Sequence, residues 1–150
     1  MMIKALSLWE PWASLMRCGA KTIETRSWYT SYRGPLLICG AKRWSDEQDA
    51  ILRMPEIQRG LLKRLAAYTP LRRKRDMLFG QAACIVDLVD CRPTGSFILD
   101  RRWSELPFGN FAPGRFGWVT SNRRIFTPFP VRGRQGLFNV EVPDGLLRVA

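Results

Sequence analysis

Four groupings of residues in this 150-residue chain carry enough polar chemistry to build a site, and histidine joins none of them because the sequence has none. Its absence excludes Ser-His-Asp and Cys-His nucleophile pairs, imidazole acid–base work and every histidine-containing zinc site. Chemistry therefore falls to Lys, Glu, Asp, Tyr, Ser, Thr, Cys and Arg. The first grouping is Gly19-Ala20-Lys21-Thr22-Ile23-Glu24-Thr25-Arg26-Ser27-Trp28. It puts a lysine at a turn and, by strand alternation, Thr22, Glu24, Arg26 and Trp28 on one face. Lys21 and Glu24 are the candidate proton-transfer pair, the lysine because burial lowers its pKa readily and the glutamate as a base. Glu24 and Arg26 at i, i+2 also fit a plain surface ion pair worth roughly 0–1 kcal/mol.

The second grouping is aromatic. Tryptophans stand at 9, 12, 28, 44, 103 and 118, and Trp9-Glu10-Pro11-Trp12 places two large rings around a turn. Such rings usually fill cores, but beside Arg and Lys they also hold unstacked bases by stacking and cation–π contact. Third, Gly133-Arg134-Gln135-Gly136 reads as a tight turn between two apolar strands with Arg132 beside it. Exposed amides and arginines there suit a phosphate, although the Gly-Lys-Ser/Thr ending of a nucleotide phosphate loop is missing. Asp87 and Asp90 are the fourth, three apart in an apolar strand and so on opposite faces, one of them expected inward with a partner. Cys18, Cys39, Cys84 and Cys91 lack metal-clamping spacing, and the last three lie in apolar runs, so they read as buried thiols of a reducing compartment. No metal and no cofactor is expected.

These residues need elements to hold them. Pro11 to Cys18 predicts a short helix with Trp12, Leu15 and Met16 at i, i+3, i+4 and Gly19 as its terminator. Thr22 to Trp28 predicts a strand, Tyr32 to Pro35 a turn, and Leu36 to Ala41 a second strand. Ser45 and Gln48 form a capping box that opens a helix through about Arg53, with Trp44 as the staple. A helix over Pro55 to Tyr68 turns Ile57, Leu61, Leu65 and Tyr68 inward and ends at Pro70. Arg72-Arg73-Lys74-Arg75 cannot pack in a core and reads as a mobile loop or solvated helix end. Phe79 to Cys91 is the strongest strand; Asp100 to Leu106 gives a helical turn and Pro107 to Gly114 a structured loop. Phe116 to Thr120, Arg124 to Pro130 and Gly136 to Val142 read as short strands. This order lacks the alternation of a parallel α/β sheet, and a small mixed β-barrel decorated by short helices fits it better. The expectation is one domain over 1–150, with a basic helical insertion at about 44–78.

Formal net charge is +11 at an ordinary 46% apolar content. Windows 17–43, 53–75 and 115–134 net +5, +7 and +5, so the remainder of the chain is net acidic. Such asymmetry points to a polyanion partner, because neutralising phosphates releases counterions. No run approaches 18 apolar residues and none forms a signal-peptide core, so a soluble, cytoplasmic protein without a membrane partner is expected.

Leu6-Ser7-Leu8-Trp9-Glu10-Pro11-Trp12-Ala13, the block at 19–28 and Tyr32-Arg33-Gly34-Pro35-Leu36-Leu37-Ile38 together resemble the opening of the ASCH domain, the activating signal cointegrator-1 homology domain. Phe116-Gly117-Trp118-Val119 and the stretch 130–138 resemble its closing strands. The resemblance implies a PUA-like β-barrel with a cleft formed by the first helix, the Gly-x-Lys-x-x-Glu-x-Arg segment and nearby strands, and RNA or another nucleic acid as ligand. Some bacterial relatives act on RNA or deacetylate N4-acetylcytidine; in those amidohydrolases a threonine, the proposed nucleophile, stands three residues after the lysine, and here Glu24 takes that position. The combined expectation is single-stranded RNA in a basic cleft. Lys21, Arg26 and Arg33 would meet phosphate or sugar, Trp9, Trp12 or Trp28 would stack on a base, and Arg132, Arg134 and Gln135 would close the far wall. Arg72, Arg73, Lys74 and Arg75 would extend the charged track. The alternative is an RNA-directed hydrolase, a ribonuclease or modified-nucleoside amidohydrolase, that uses Lys21 and Glu24.

Overall fold

The computed structural model describes residues 1–62, 72–99 and 101–146, without the side chains at 98–99 and 101–103. Six strands form one mixed sheet: β1 (Met2–Leu8), β2 (Ile23–Arg26), β3 (Gly34–Gly40), β4 (Gln81–Pro93), β5 (Phe116–Ile125) and β6 (Phe138–Glu141). Their spatial order is β2-β5-β4-β3-β1-β6. All neighbours are antiparallel except β1 and β3, which run parallel with Leu6 opposite Ile38. The connection between those two contains helix α1 (Trp12–Cys18) and β2, long enough for the crossover that parallel pairing demands.

Both sheet faces are covered. Leu6, Leu8, Leu36, Ile38, Val86 and Leu88 pack with Ala13 and Met16 of α1 on one side, while Ala5, Leu37, Cys39 and Ile85 pack with Val131, Phe138 and Val142 on the other. Burial on two faces is why β3 and β4 read as nearly unbroken apolar runs. Helices α2 (Asp46–Arg53) and α3 (Pro55–Leu61) add a third cluster with Leu15 and Met77. Ser45 caps α2 by accepting from the Gln48 N–H at 3.4 Å, and Trp44 meets Phe79 edge to face. Glu10 fastens α1: its buried carboxylate accepts from the Ser14 N–H (2.7 Å), the Ser14 hydroxyl (2.5 Å) and the Leu78 N–H (2.8 Å).

The sheet does not close into a barrel. Among the described residues β2 pairs only with β5, β6 pairs only with β1, and no ladder joins the two ends. Each end strand has four residues, and β6 covers only Met2 to Ala5 of β1. The rest of that edge of β1 is left to side chains: the Arg26 Nη2 donates to the Ser7 carbonyl at 2.7 Å. Three expected elements also differ. Arg124 to Pro130 is no separate strand; β5 runs on to Ile125, where Cys84 and Ile85 still pair with Ile125 and Arg124. Beyond it Pro128 and Pro130 remove ladder donors, leaving one bridge from Pro130 to Gln81. The turn at 133–136 therefore does not join two strands. Helix α3 ends at Leu61, and 63–68 of the expected helix lies outside the described residues. Neither Asp87 nor Asp90 enters the core: Asp87 meets Arg124 at 2.6 Å and Asn122 at 2.9 Å, while Asp90 lies 3.9 Å from Arg92 and 4.0 Å from Arg33. Register shifts at Ile85/Asp87 and Leu88/Asp90 turn both aside.

Candidate nucleic-acid interface

Gly19, at φ +86°, ends α1 in the left-handed conformation that glycine adopts without strain and sends the chain into β2. Lys21 sits in that turn with 1% of its surface exposed. Its ammonium donates to the carbonyls of Ile23 (2.7 Å) and Phe108 and lies 3.3 Å from Glu24 Oε1. It also lies 5.4 Å from the centroid of the Trp12 ring. Its three N–H donors are thus matched by three protein acceptors. Burial pulls the lysine pKa down from its ordinary value, and the Glu24 charge pulls the other way.

Glu24 links this buried cation to the surface. Its Oε2 accepts from Arg26 Nε at 3.1 Å, and Arg26 in turn reaches the Ser7 carbonyl. A relay of Lys21, Glu24, Arg26 and Ser7 therefore ties the α1 turn to β2 and across the gap to β1. Strand alternation makes this possible, since Glu24 and Arg26 share a face and lie opposite Trp118 and Phe116.

Two hollows meet along this relay. One, about 440 Å³, lies over Lys21 and Glu24 and is walled by Trp12, Gln48, Asn110 and Arg115. The other, about 1000 Å³, is lined by Lys42, Arg132, Arg134 and Gln135. Ser7, Trp9, Arg26 and Trp28 border both, so the two form one groove along the open edge of the sheet. Trp9 is 40% exposed, and the Arg43 guanidinium stacks on it 4.0 Å from the ring centroid. The Ser7 Oγ is buried at the junction with no hydrogen-bond partner among the described residues.

The groove thus brings together Trp9, Trp12, Lys21, Glu24, Arg26, Trp28, Arg132, Arg134 and Gln135 from the sequence expectation. Arg33 does not line it; its guanidinium donates to the carbonyls of Thr30 (2.9 Å) and Tyr32 (2.7 Å). Nor do Arg72, Arg73, Lys74 and Arg75. The last three are exposed around a short 3-10 turn, with Lys74 over the Trp44 ring at 5.7 Å, while Arg72 borders a different cavity. Sequence reasoning missed Ser7, Lys42, Arg43, Asn110 and Arg115 as site residues. Lys42, Arg43 and Arg115 lay inside the basic windows, which is the signal that marks them. Among the described residues no three His, Cys, Asp or Glu side chains gather as a metal cluster, and no helix is long and apolar enough to cross a membrane.

The ASCH domain family matches residues 6–108 of the chain. Over 142 residues the chain is 29% identical to activating signal cointegrator 1 of Homo sapiens and 28% identical to the Mus musculus protein of the same name. Each alignment covers 91% of this chain and 22% of the relative, so the chain spans about a fifth of the length of the curated relatives it matches.

Proposed function

From the premise that the chain belongs to the ASCH domain family, we propose that it binds single-stranded RNA along the groove between β2 and β1. The observation that carries this reading is the wall shared by the two hollows. Trp9 and Trp28 stand there beside Arg26, with Lys42, Arg132 and Arg134 on one side and the hollow of about 440 Å³ on the other. Arginine and lysine follow the backbone phosphates, and aromatic faces take unstacked bases regardless of sequence. Lys21 acts from beneath: its donors are engaged within the protein, so it fixes Glu24 and through it Arg26. The resemblance supplies the choice of RNA. A soluble, cytoplasmic protein of one domain accords with this reading.

Fluorescence anisotropy with a labelled single-stranded RNA tests it. Trp9→Ala and the pair Arg132→Ala/Arg134→Ala should each weaken binding, the tryptophan by about 1–3 kcal/mol. Neutralising Arg73, Lys74 and Arg75 should have a smaller effect, alike for all sequences. Equal affinity for wild type and the groove variants removes the RNA from this groove.

A second reading, hydrolysis, is favoured by one observation: a carboxylate and a lysine of lowered pKa lie 3.3 Å apart beneath the hollow. Glu24 would then take a proton from the attacking group and Arg26 would offset charge on the phosphate. Product formation by wild type, lost in Glu24→Gln while RNA affinity persists, would establish it. Lys21→Met is the variant to use at the lysine, because the ammonium is fully buried and bonded to Ile23, Phe108 and Glu24.

A further inference from the structure

Three basic stretches far apart in sequence meet on the side of α1 turned away from the groove. Trp12 reaches the hollow over Lys21, whereas Ser14, Arg17 and Cys18 line a separate cavity of about 320 Å³, as the helical period requires. Among the described residues this cavity shares no lining residue with either part of the groove. Half-buried Arg17, Arg72 and Arg123 border it, one from each basic window.

Protein carbonyls, not acids, hold the guanidiniums of Arg17 and Arg123. Arg17 Nη1 donates to the carbonyls of Ala83 (2.5 Å) and Phe126 (2.9 Å). Arg123 Nη1 donates to the Arg17 carbonyl, and its guanidinium lies so close to Gly19 that a Cβ there would stand 3.0 Å from Cζ. The backbone of Arg72 is pinned by the Gln58 amide, which accepts from its N–H and donates to its carbonyl, both at 2.9 Å. Among the described residues none of the three pairs with a carboxylate. Asp76, the acid at the rim, accepts from the Arg73 N–H at 2.8 Å.

Among the described residues most of the fork donors on these guanidiniums are unengaged, and three like charges border one cavity whose acid, Asp76, is exposed at the rim. Planar guanidiniums so placed match a phosphate, which accepts several charge-assisted bonds at once. Leu61, Met77 and Leu78 give the cavity an apolar wall. Its volume is at the small end of the roughly 300–1,000 Å³ typical of small-molecule sites. We propose that this cavity binds a nucleotide-sized phosphomonoester, with the phosphate on Arg17, Arg72 and Arg123 and the base against Leu61 and Met77. A free mononucleotide and a phosphorylated strand end share this chemistry. The site is independent of the groove and of what the groove binds.

Calorimetric titration of the full chain with AMP, adenosine and inorganic phosphate tests the proposal. AMP should bind at least about tenfold more tightly than adenosine or phosphate alone, and Arg72→Ala should weaken AMP about tenfold, the scale of one lost charge-assisted contact. Truncating Arg72 leaves its backbone bonds to Gln58 in place, so an unchanged thermal midpoint is expected. Arg123→Gln supplies a second variant, and Arg134→Ala, in the groove, should leave AMP binding unchanged. Equal binding of AMP and adenosine, equal binding of AMP and phosphate, indifference to both arginine variants, or loss through Arg134→Ala would each overturn it. Competition with AMP by a 5′-phosphorylated but not a 5′-hydroxyl oligonucleotide, measured in the Arg134→Ala background, identifies a strand end; lack of competition identifies the free nucleotide.

Discussion

Lys21 and Glu24 were legible as a pair, but their burial reverses what a mutation there reports. With no exposed lysine side chain and a carboxylate only 11% exposed, the pair is held by mutual attraction and by the carbonyls of Ile23 and Phe108. Glu24→Ala should cost about 3 kcal/mol of stability, because a buried cation is left without its counter-charge. Lys21→Met/Glu24→Leu should cost clearly less than the sum of the single changes, as a double-mutant cycle of urea unfolding would read. Additive costs would mean that the pair contributes nothing as a pair. Glu10 poses the opposite question. Burial pushes its carboxyl up from its ordinary value of 4.5, against the pull of its Ala13, Ser14 and Leu78 donors. The folded state then binds the proton more tightly than the unfolded state. Stability from this group is full below the ordinary carboxylate range and is lost as pH rises through the folded value. The advantage of Glu10 over Gln in urea midpoints should therefore narrow between pH 4 and 7. A gap that widens would mean that the donors outweigh burial.

At the scale of elements, caps and turns were the readable part. Gly19 stops α1, Ser45 and Gln48 start α2, and strand alternation put Glu24 and Arg26 on one face, all from local chemistry. What local chemistry did not carry was pairing. β1 went unread because Lys4 and Ser7 interrupt its apolar residues and its partners lie far along the chain. Arg43 reaches Trp9 only because the parallel register sets Leu8 beside Gly40. The barrel expectation failed on the shortness of β2 and β6, a property of length that the apolar pattern does not encode. Gly40 shows how tightly β3 ends: an added Cβ would lie 2.1 Å from the Leu78 carbonyl oxygen. Gly40→Ala should lower stability by about 3 kcal/mol, whereas Gly95→Ala, with nothing within 4 Å, should be close to neutral by thermal unfolding. The tryptophans divide on the same basis. Trp28 meets Trp118 edge to face at 4.7 Å, so Trp28→Ala should lower the unfolding midpoint, while half-open Trp9→Ala should leave it in place.

Across the whole molecule, basic side chains gather both in the groove and on the far side of α1. Arg26, Lys42, Arg132 and Arg134 can each neutralise one phosphate of a strand lying in the groove. The log of RNA affinity against the log of salt should then fall with a slope of about −3, from roughly −0.7 per phosphate on a single strand. A flat dependence would mean that the groove does not follow a phosphate backbone.

β1 lies between β3 and β6, so its two partners come from residues 34–40 and 138–141. During synthesis the first of these emerges early and the second only after another hundred residues or so have followed. Until then β1 presents one unpaired margin, with Ile3 and Ala5 not yet covered by Phe138 and Val142. In a growing chain β3, β4 and β5 can therefore pair in order of appearance, while β1 waits for β6. Pairing of β6 is thus the step that closes this edge of the sheet, since an unpaired strand margin is a template for association with other chains.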